Sequence, residues 1–188
     1  MSNTGDEGAY FIYTGQWFED IPQDVICVRV HPSVRRIVNE AFAGCLQLTI
    51  VILGEGLEEI GRWAFCGCTS LRVIVIPPAV RVIHKWAFAH CSQLTIVVLG
   101  EGLEEIGQGA FLNCTLLREI AIPPAIRVIR EAFDDCLQLT NVRFCNKIEE
   151  FVSVELMQDW WNHGVHERSL STYCFLVRCN IPQRLGLV

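Results

Sequence analysis

"LEEIGRWAFCGCTSLRVIVI" runs from Leu57 to Ile76, and its skeleton returns along most of the chain. The pair Ala64-Phe65 has counterparts at Ala41-Phe42, Ala87-Phe88, Ala110-Phe111 and Ala132-Phe133. A cysteine follows each phenylalanine by three positions, giving the column Cys45, Cys68, Cys91, Cys114 and Cys136. Ile37, Ile60, Ile83 and Ile106 stand four residues before the first four alanines; Ile129 precedes Ala132 by only three, so the fifth unit has lost one residue. A leucine then opens an apolar run in each unit, at Leu48, Leu71, Leu94, Leu117 and Leu139. The unit is 23 residues long. Repetition on that scale implies stacked units, none of which can bury its apolar face alone.

A second period overlies the first. "LGEGLEEIG" occupies Leu53 to Gly61 and recurs unchanged from Leu99 to Gly107, 46 residues on. Aligning the segments before each alanine-phenylalanine pair gives one column that reads Arg35, Glu58, Arg81, Glu104, Arg127, Glu149. Stacked strands lie roughly 4.7 to 4.9 Å apart, so like charges in such a column would repel and alternating ones attract. Each exposed pair is worth at most about 1 kcal/mol, which sets register more than stability. Duplication of a two-unit block would leave the same alternation. The corners alternate too, with Gly54-Glu55-Gly56 and Gly100-Glu101-Gly102 against Pro77-Pro78-Ala79 and Pro123-Pro124-Ala125. Glycine and proline both suit a corner, the one by conformational freedom and the other by its fixed φ.

The full frame, I-x-x-x-AF-x-x-C-x-x-L-x-x-I-x-I-P, resembles the BspA-type leucine-rich repeat family over roughly Val30 to Phe144. That resemblance implies an α/β repeat solenoid: a right-handed coil with a parallel β-sheet on one face, short irregular or helical arcs opposite, and a helical C-terminal cap. The expected organisation is an N-terminal cap and first strand over 1–29, a solenoid of five full units and a degenerate sixth over 30–151, and the cap over 152–188. "VICVRV" reads as the first strand, while Ser153 and Ser169 read as starts of two helices whose Trp160, Trp161, Tyr173 and Phe175 cover the last coil. Members of the family occur in surface proteins of bacteria and protists and in unicellular algae, and the resemblance implies binding of proteins or surfaces rather than catalysis.

Composition narrows the partners. With 188 residues, 51% hydrophobic, 19% charged and a net charge of -6, the chain reads as folded and carries no basic footprint for nucleic acid or anionic lipid. The first 24 residues lack a secretory pattern, and no window reaches the roughly 18 apolar residues of a spanning helix, so an intracellular protein without membrane insertion is expected. The ten cysteines read as reduced, five of them as core fillers. No cofactor or metal is expected: His163, His166, Cys174 and Cys179 match no strong ligand spacing. His84 and His90 likewise show no paired carboxylate motif, and no catalytic signature appears, so an enzyme ranks third among the function classes.

The least bland feature lies in the strands. If Leu48, Val51 and Leu53 face inward, strand parity turns Ile50 and Ile52 outward, and with them Val73, Val75, Ile96 and Val98. Six β-branched aliphatics then stand where a solvated sheet face carries polar residues, which points to a protein partner, including a second copy of the chain. A surface or adhesion role, implied by the resemblance, is the alternative. A second candidate is the arc around Arg62-Trp63 and Lys85-Trp86, where cation and indole pairs in neighbouring coils could hold a ligand or simply pack.

Overall fold

Phenylalanines recurring every 23 residues are buried most fully by lying on one another, and in the computed structural model they do. Residues 10–16, 20–129 and 131–144 are described, and they form stacked coils. Phe42, Phe65, Phe88, Phe111 and Phe133 make one ladder with successive ring centroids 5.0, 5.2, 5.3 and 5.4 Å apart and planes within 7° of parallel. Tyr13, itself fully buried, closes the N-terminal end edge-on to Phe42 at 5.1 Å.

The described strands are β1 (Phe11–Tyr13), β2 (Cys27–Val30), β3 (Arg36–Ile37), β4 (Ile50–Ile52), β5 (Glu59–Ile60), β6 (Val73–Val75), β7 (Val82–Ile83), β8 (Ile96–Val98), β9 (Glu105–Ile106), β10 (Glu119–Ile122), β11 (Val128–Ile129) and β12 (Asn141–Phe144). All their pairings are parallel. β1 precedes the strand expected from "VICVRV" and pairs with it as β2. A second sheet, absent from the sequence reading, runs through five coils in the order β3-β5-β7-β9-β11. It carries the isoleucine column, with Ile37, Ile60, Ile83 and Ile106 all fully buried.

Helical arcs do not form: among the described residues there is no helix. The backbone accounting explains why. Within one arc the amides of Ala64, Cys66 and Cys68 close local turns onto Gly61, Trp63 and Phe65, while those of Trp63, Phe65 and Gly67 donate to Lys85, Ala87 and Ala89 of the next coil. A helix would spend its amides internally beyond the first turn and break this alternation of local and inter-coil donors. The expected helical cap at 152–188 lies outside the described residues.

The 46-residue period is a doublet of coils. On the first face the ladders join β1-β2-β4, β6-β8 and β10-β12, and no strand pairing links β4 to β6 or β8 to β10. The corners follow the same grouping. A Cβ on Gly100 or Gly102 would collide with the carbonyl oxygens of Pro77 or Pro78, and one on Gly56 would come within 2.7 Å of that of Pro32. Each glycine corner therefore nests on the proline corner of the preceding coil. The charges pair in the same direction: Arg35 meets Glu58 at 3.2 Å and Arg81 meets Glu104 at 3.2 Å, with no ion pair from Glu58 to Arg81 among the described residues. The second sheet runs unbroken across doublets, the amides of Glu58, Arg81, Glu104 and Arg127 each donating to the preceding coil at 2.7 to 2.8 Å.

The cysteine column also ties coil to coil. The thiols of Cys68, Cys91, Cys114 and Cys136 donate to the carbonyls of Phe42, Phe65, Phe88 and Phe111 at 3.1 to 3.3 Å. Burial pushes the Cys68 and Cys91 thiols far up, and the Cys136 hydrogen bond together with burial does so for Cys114. At the last described coil the interior columns open: Ile129 is 40% and Val142 47% exposed, against 0% and 1% for their register partners Ile106 and Ile120.

Two outcomes follow from this packing. Gly102→Ala should cost about 1–3 kcal/mol in chemical denaturation by forcing the corners apart, whereas Arg81→Ala, which removes a largely exposed ion pair, should cost under about 1 kcal/mol. In alkylation followed by peptide mapping, Cys66 should label before Cys68, Cys91 and Cys114, whose neutral buried thiols react only when the stack opens.

Candidate functional site

Two surfaces deserve comparison, one on each side of the coil. The register on the first face aligns Cys27 with Ile50, Arg29 with Ile52, Val73 with Ile96 and Val75 with Val98. Val51, Ile74 and Val97, at the alternate positions, belong to the core cluster; Ile50, Ile52, Val73, Val75, Ile96 and Val98 do not. Burial among the six is uneven. Ile50 and Val73, expected on the solvated face, are instead buried at 8% exposure, while Ile52, Val75, Ile96 and Val98 are half-buried. Flanking the aliphatics are polar groups. On one side the Arg29 guanidinium lies 5.3 Å over the Tyr10 ring and donates to its hydroxyl at 3.2 Å. On the other, Asn141 donates to Glu119 at 3.5 Å and accepts from Arg143 at 3.3 Å. An apolar centre between polar margins is the usual composition of a protein-contact surface.

The arc surface is organised around a conformational oddity. Residues 40, 63, 86, 109 and 131 occupy one column, and all have positive φ: Glu40 62°, Trp63 53°, Trp86 56°, Gly109 62° and Glu131 43°. A parallel column at Gly44, Gly67, His90, Asn113 and Asp135 also has positive φ, but there the residues are those that tolerate the left-handed region. Tryptophan does not, and each one costs about 1–2 kcal/mol. Trp63 and Trp86 stack 5.0 Å apart at 10°, which returns about 0.5–1.5 kcal/mol beyond area burial. Gly109 leaves the space that the Trp86 ring fills, since a Cβ there would sit 2.6 Å from the indole nitrogen.

The two ends of this indole pair differ. Lys85 Nζ lies 5.9 Å from the Trp86 ring. Arg62, by contrast, places no cation over Trp63 among the described residues. The Trp63 face turned away from Trp86 borders an open depression lined with Glu40, Ala43 and Cys66. Glu40 is exposed, and its carboxylate makes no hydrogen bond or ion pair among the described residues. Burial and then the Glu40 charge push the Cys66 thiol up.

The histidines hold one contact that sequence inspection missed. His84 Nε2 lies 3.1 Å from Glu59 Oε2, joined across adjacent coils and separated by 25 residues in the chain. Glu59 also meets Arg36 at 3.6 Å, which makes it the centre of a surface charge cluster. His90 instead pairs with Asn113 at 3.0 Å. His163, His166, Cys174 and Cys179 lie outside the described residues, and among the described residues no three potential metal ligands converge.

Replacing Trp63 by glycine should cost under about 2 kcal/mol in thermal or denaturant unfolding, because relieved backbone strain offsets part of the lost packing. Phe65→Ala, by removing a rung of the buried ladder, should cost about 3–5 kcal/mol.

The repeat frame and the stacked coils agree with known proteins. The BspA type leucine rich repeat region matches residues 34–154 in six copies. A leucine rich repeat protein of T. pallidum, known from its crystal structure, is 34% identical over 63% of this chain and 58% of its own, with a TM-score of 0.62. A leucine-rich repeat protein from Bacteroides ovatus is 27% identical over 64% of this chain and 30% of its own, with a TM-score of 0.56. A leucine rich cell surface protein from Faecalibacterium prausnitzii is 27% identical over 78% of this chain and 37% of its own, with a TM-score of 0.63. The chain thus spans between 30% and 58% of the length of these proteins, and no curated protein matches it significantly. It belongs to the BspA-type leucine-rich repeat family.

Proposed function

We propose that the chain is a non-catalytic protein-interaction module whose contact surface is the first sheet face, and that a second copy of the chain is its first partner. The observation that carries this is the run of β-branched side chains on three successive strands, Ile50 and Ile52 on β4, Val73 and Val75 on β6 and Ile96 and Val98 on β8, of which Ile52, Val75, Ile96 and Val98 are half-buried, flanked by Tyr10–Arg29 and Glu119–Asn141–Arg143. A stack tied by backbone, thiol and ring contacts holds those side chains in fixed relative positions, so little ordering cost accompanies association. A face-to-face pair would remove the half-buried members from water, a gain that scales at roughly 25 cal/mol per Å² before association costs.

A surface-attachment role is the second reading. Its support is the likeness to the Faecalibacterium prausnitzii cell surface protein at 27% identity. The same sheet would then meet a foreign protein rather than another copy.

Sedimentation across a concentration series separates the two. A reversible dimer that Ile52→Lys with Val75→Lys converts to a monomer of unchanged circular dichroism supports self-association. A wild-type chain that stays monomeric throughout rejects it and leaves the attachment reading to be tested by capture with the same double variant as control.

A further inference from the structure

The Trp63–Trp86 pair is built at a cost the fold could have avoided. Its column accepts glycine at Gly109, yet two bulky side chains are held there in the left-handed region. Such strain at a surface position is a reason to look for a ligand. The pair has one finished end and one open end. At the finished end Trp86 lies against Gly109 with the Lys85 ammonium 5.9 Å from its ring. At the open end the Trp63 indole, 36% exposed, presents a face to the depression lined with Glu40, Ala43 and Cys66, and no described cation covers it. Glu40 also lines that depression, and its carboxylate has no ion-pair partner among the described residues.

An indole face beside an unpaired carboxylate complements a planar cation. A guanidinium can lie flat on the ring and direct its N–H fork to the carboxylate, which an ammonium cannot do in the same pose. Ala43 and Cys66 supply walls for the aliphatic stem of such a side chain. We infer that the open face of Trp63, with Glu40, is a docking site for an arginine side chain presented by a protein partner. The site lies on the arc and does not depend on the sheet face, so loss of one contact leaves the other intact.

The test uses the whole chain, labelled with nitrogen-15, and N-acetyl-arginine-N-methylamide as probe. The Trp63 indole N–H is assigned by its disappearance in Trp63→Gly. Titration should shift that resonance saturably, with affinity in the millimolar range or weaker. Glu40→Gln should weaken it by about two- to fivefold, the equivalent of one exposed ion pair. The lysine analogue at matched ionic strength should bind at least about twofold more weakly, as an ammonium lacks the stacking fork. Equal response to both cations, no saturable shift, or insensitivity to Glu40→Gln would each overturn the assignment. A shift produced by methyl β-glucoside but not by the arginine probe would replace it with a sugar platform. Unchanged circular dichroism of Glu40→Gln keeps the result independent of folding.

Discussion

Every coil of this protein depends on the coil beneath it through the buried phenylalanine ladder. A single 23-residue unit cannot close its interior alone: Phe65 is enclosed above and below by the rings of Phe88 and Phe42 in the neighbouring coils. Stacking distance then becomes the constraint to which all other columns adjust. The thiol of Cys68 can reach the Phe42 carbonyl, and the amide of Phe65 the Ala87 carbonyl, only because the rings hold neighbouring coils at that separation. Hydrogen bonds so placed satisfy interior polar groups that would otherwise be costly to bury, so ring and backbone requirements reinforce one another.

Much of this was legible in the sequence, because columns of a repeat are read by alignment alone. The phenylalanine, isoleucine and cysteine columns and the pairing of Arg35 with Glu58 follow from counting, whereas strand parity alone misjudged the exposure of Ile50 and Val73, which are buried. The strands of the second sheet were not legible. Each is two residues long, too short to show the alternation by which strands are recognised. The alternative of helical arcs had the same source, since "IGRWAFCGC" has no strong turn dipeptide. Its left-handed backbone at Trp63 was hidden by a residue that gives no such signal, whereas Gly67 in the same arc does. The His84–Glu59 contact was equally hidden, for it joins two columns across neighbouring coils.

The doubled period shows how a weak effect and a strong one can share a pattern. Alternating charge is visible at once in the sequence, yet its ion pairs are exposed and worth little: the side chains of Arg35 and Glu58 are 69% and 54% accessible. Nested corners matter more. Gly102 fits against Pro78 because it lacks a Cβ, and any larger residue meets a backbone carbonyl that cannot rotate aside. The arginine–glutamate pairs lie within the doublets that the corners define and do not bridge from one doublet to the next. Steric fit therefore groups the coils, and charge follows the grouping.

A solenoid of this kind separates tasks by face. The interior columns are fixed by stacking, so residues that the stack does not use, among them the outward parity of the first sheet and the ridge of each arc, can differ from coil to coil. On the sheet, β-branched aliphatics satisfy strand propensity and contact chemistry at once, and nothing in the backbone resists them. On the arc the left-handed column resists any side chain, and Gly109 is what the backbone alone would select. Trp63 and Trp86 occupy that column against this preference, stacked on each other and ending in an uncovered indole beside a lone carboxylate. The sheet face can be explained by folding and contact together, whereas the open end of the indole pair is better explained by contact than by folding.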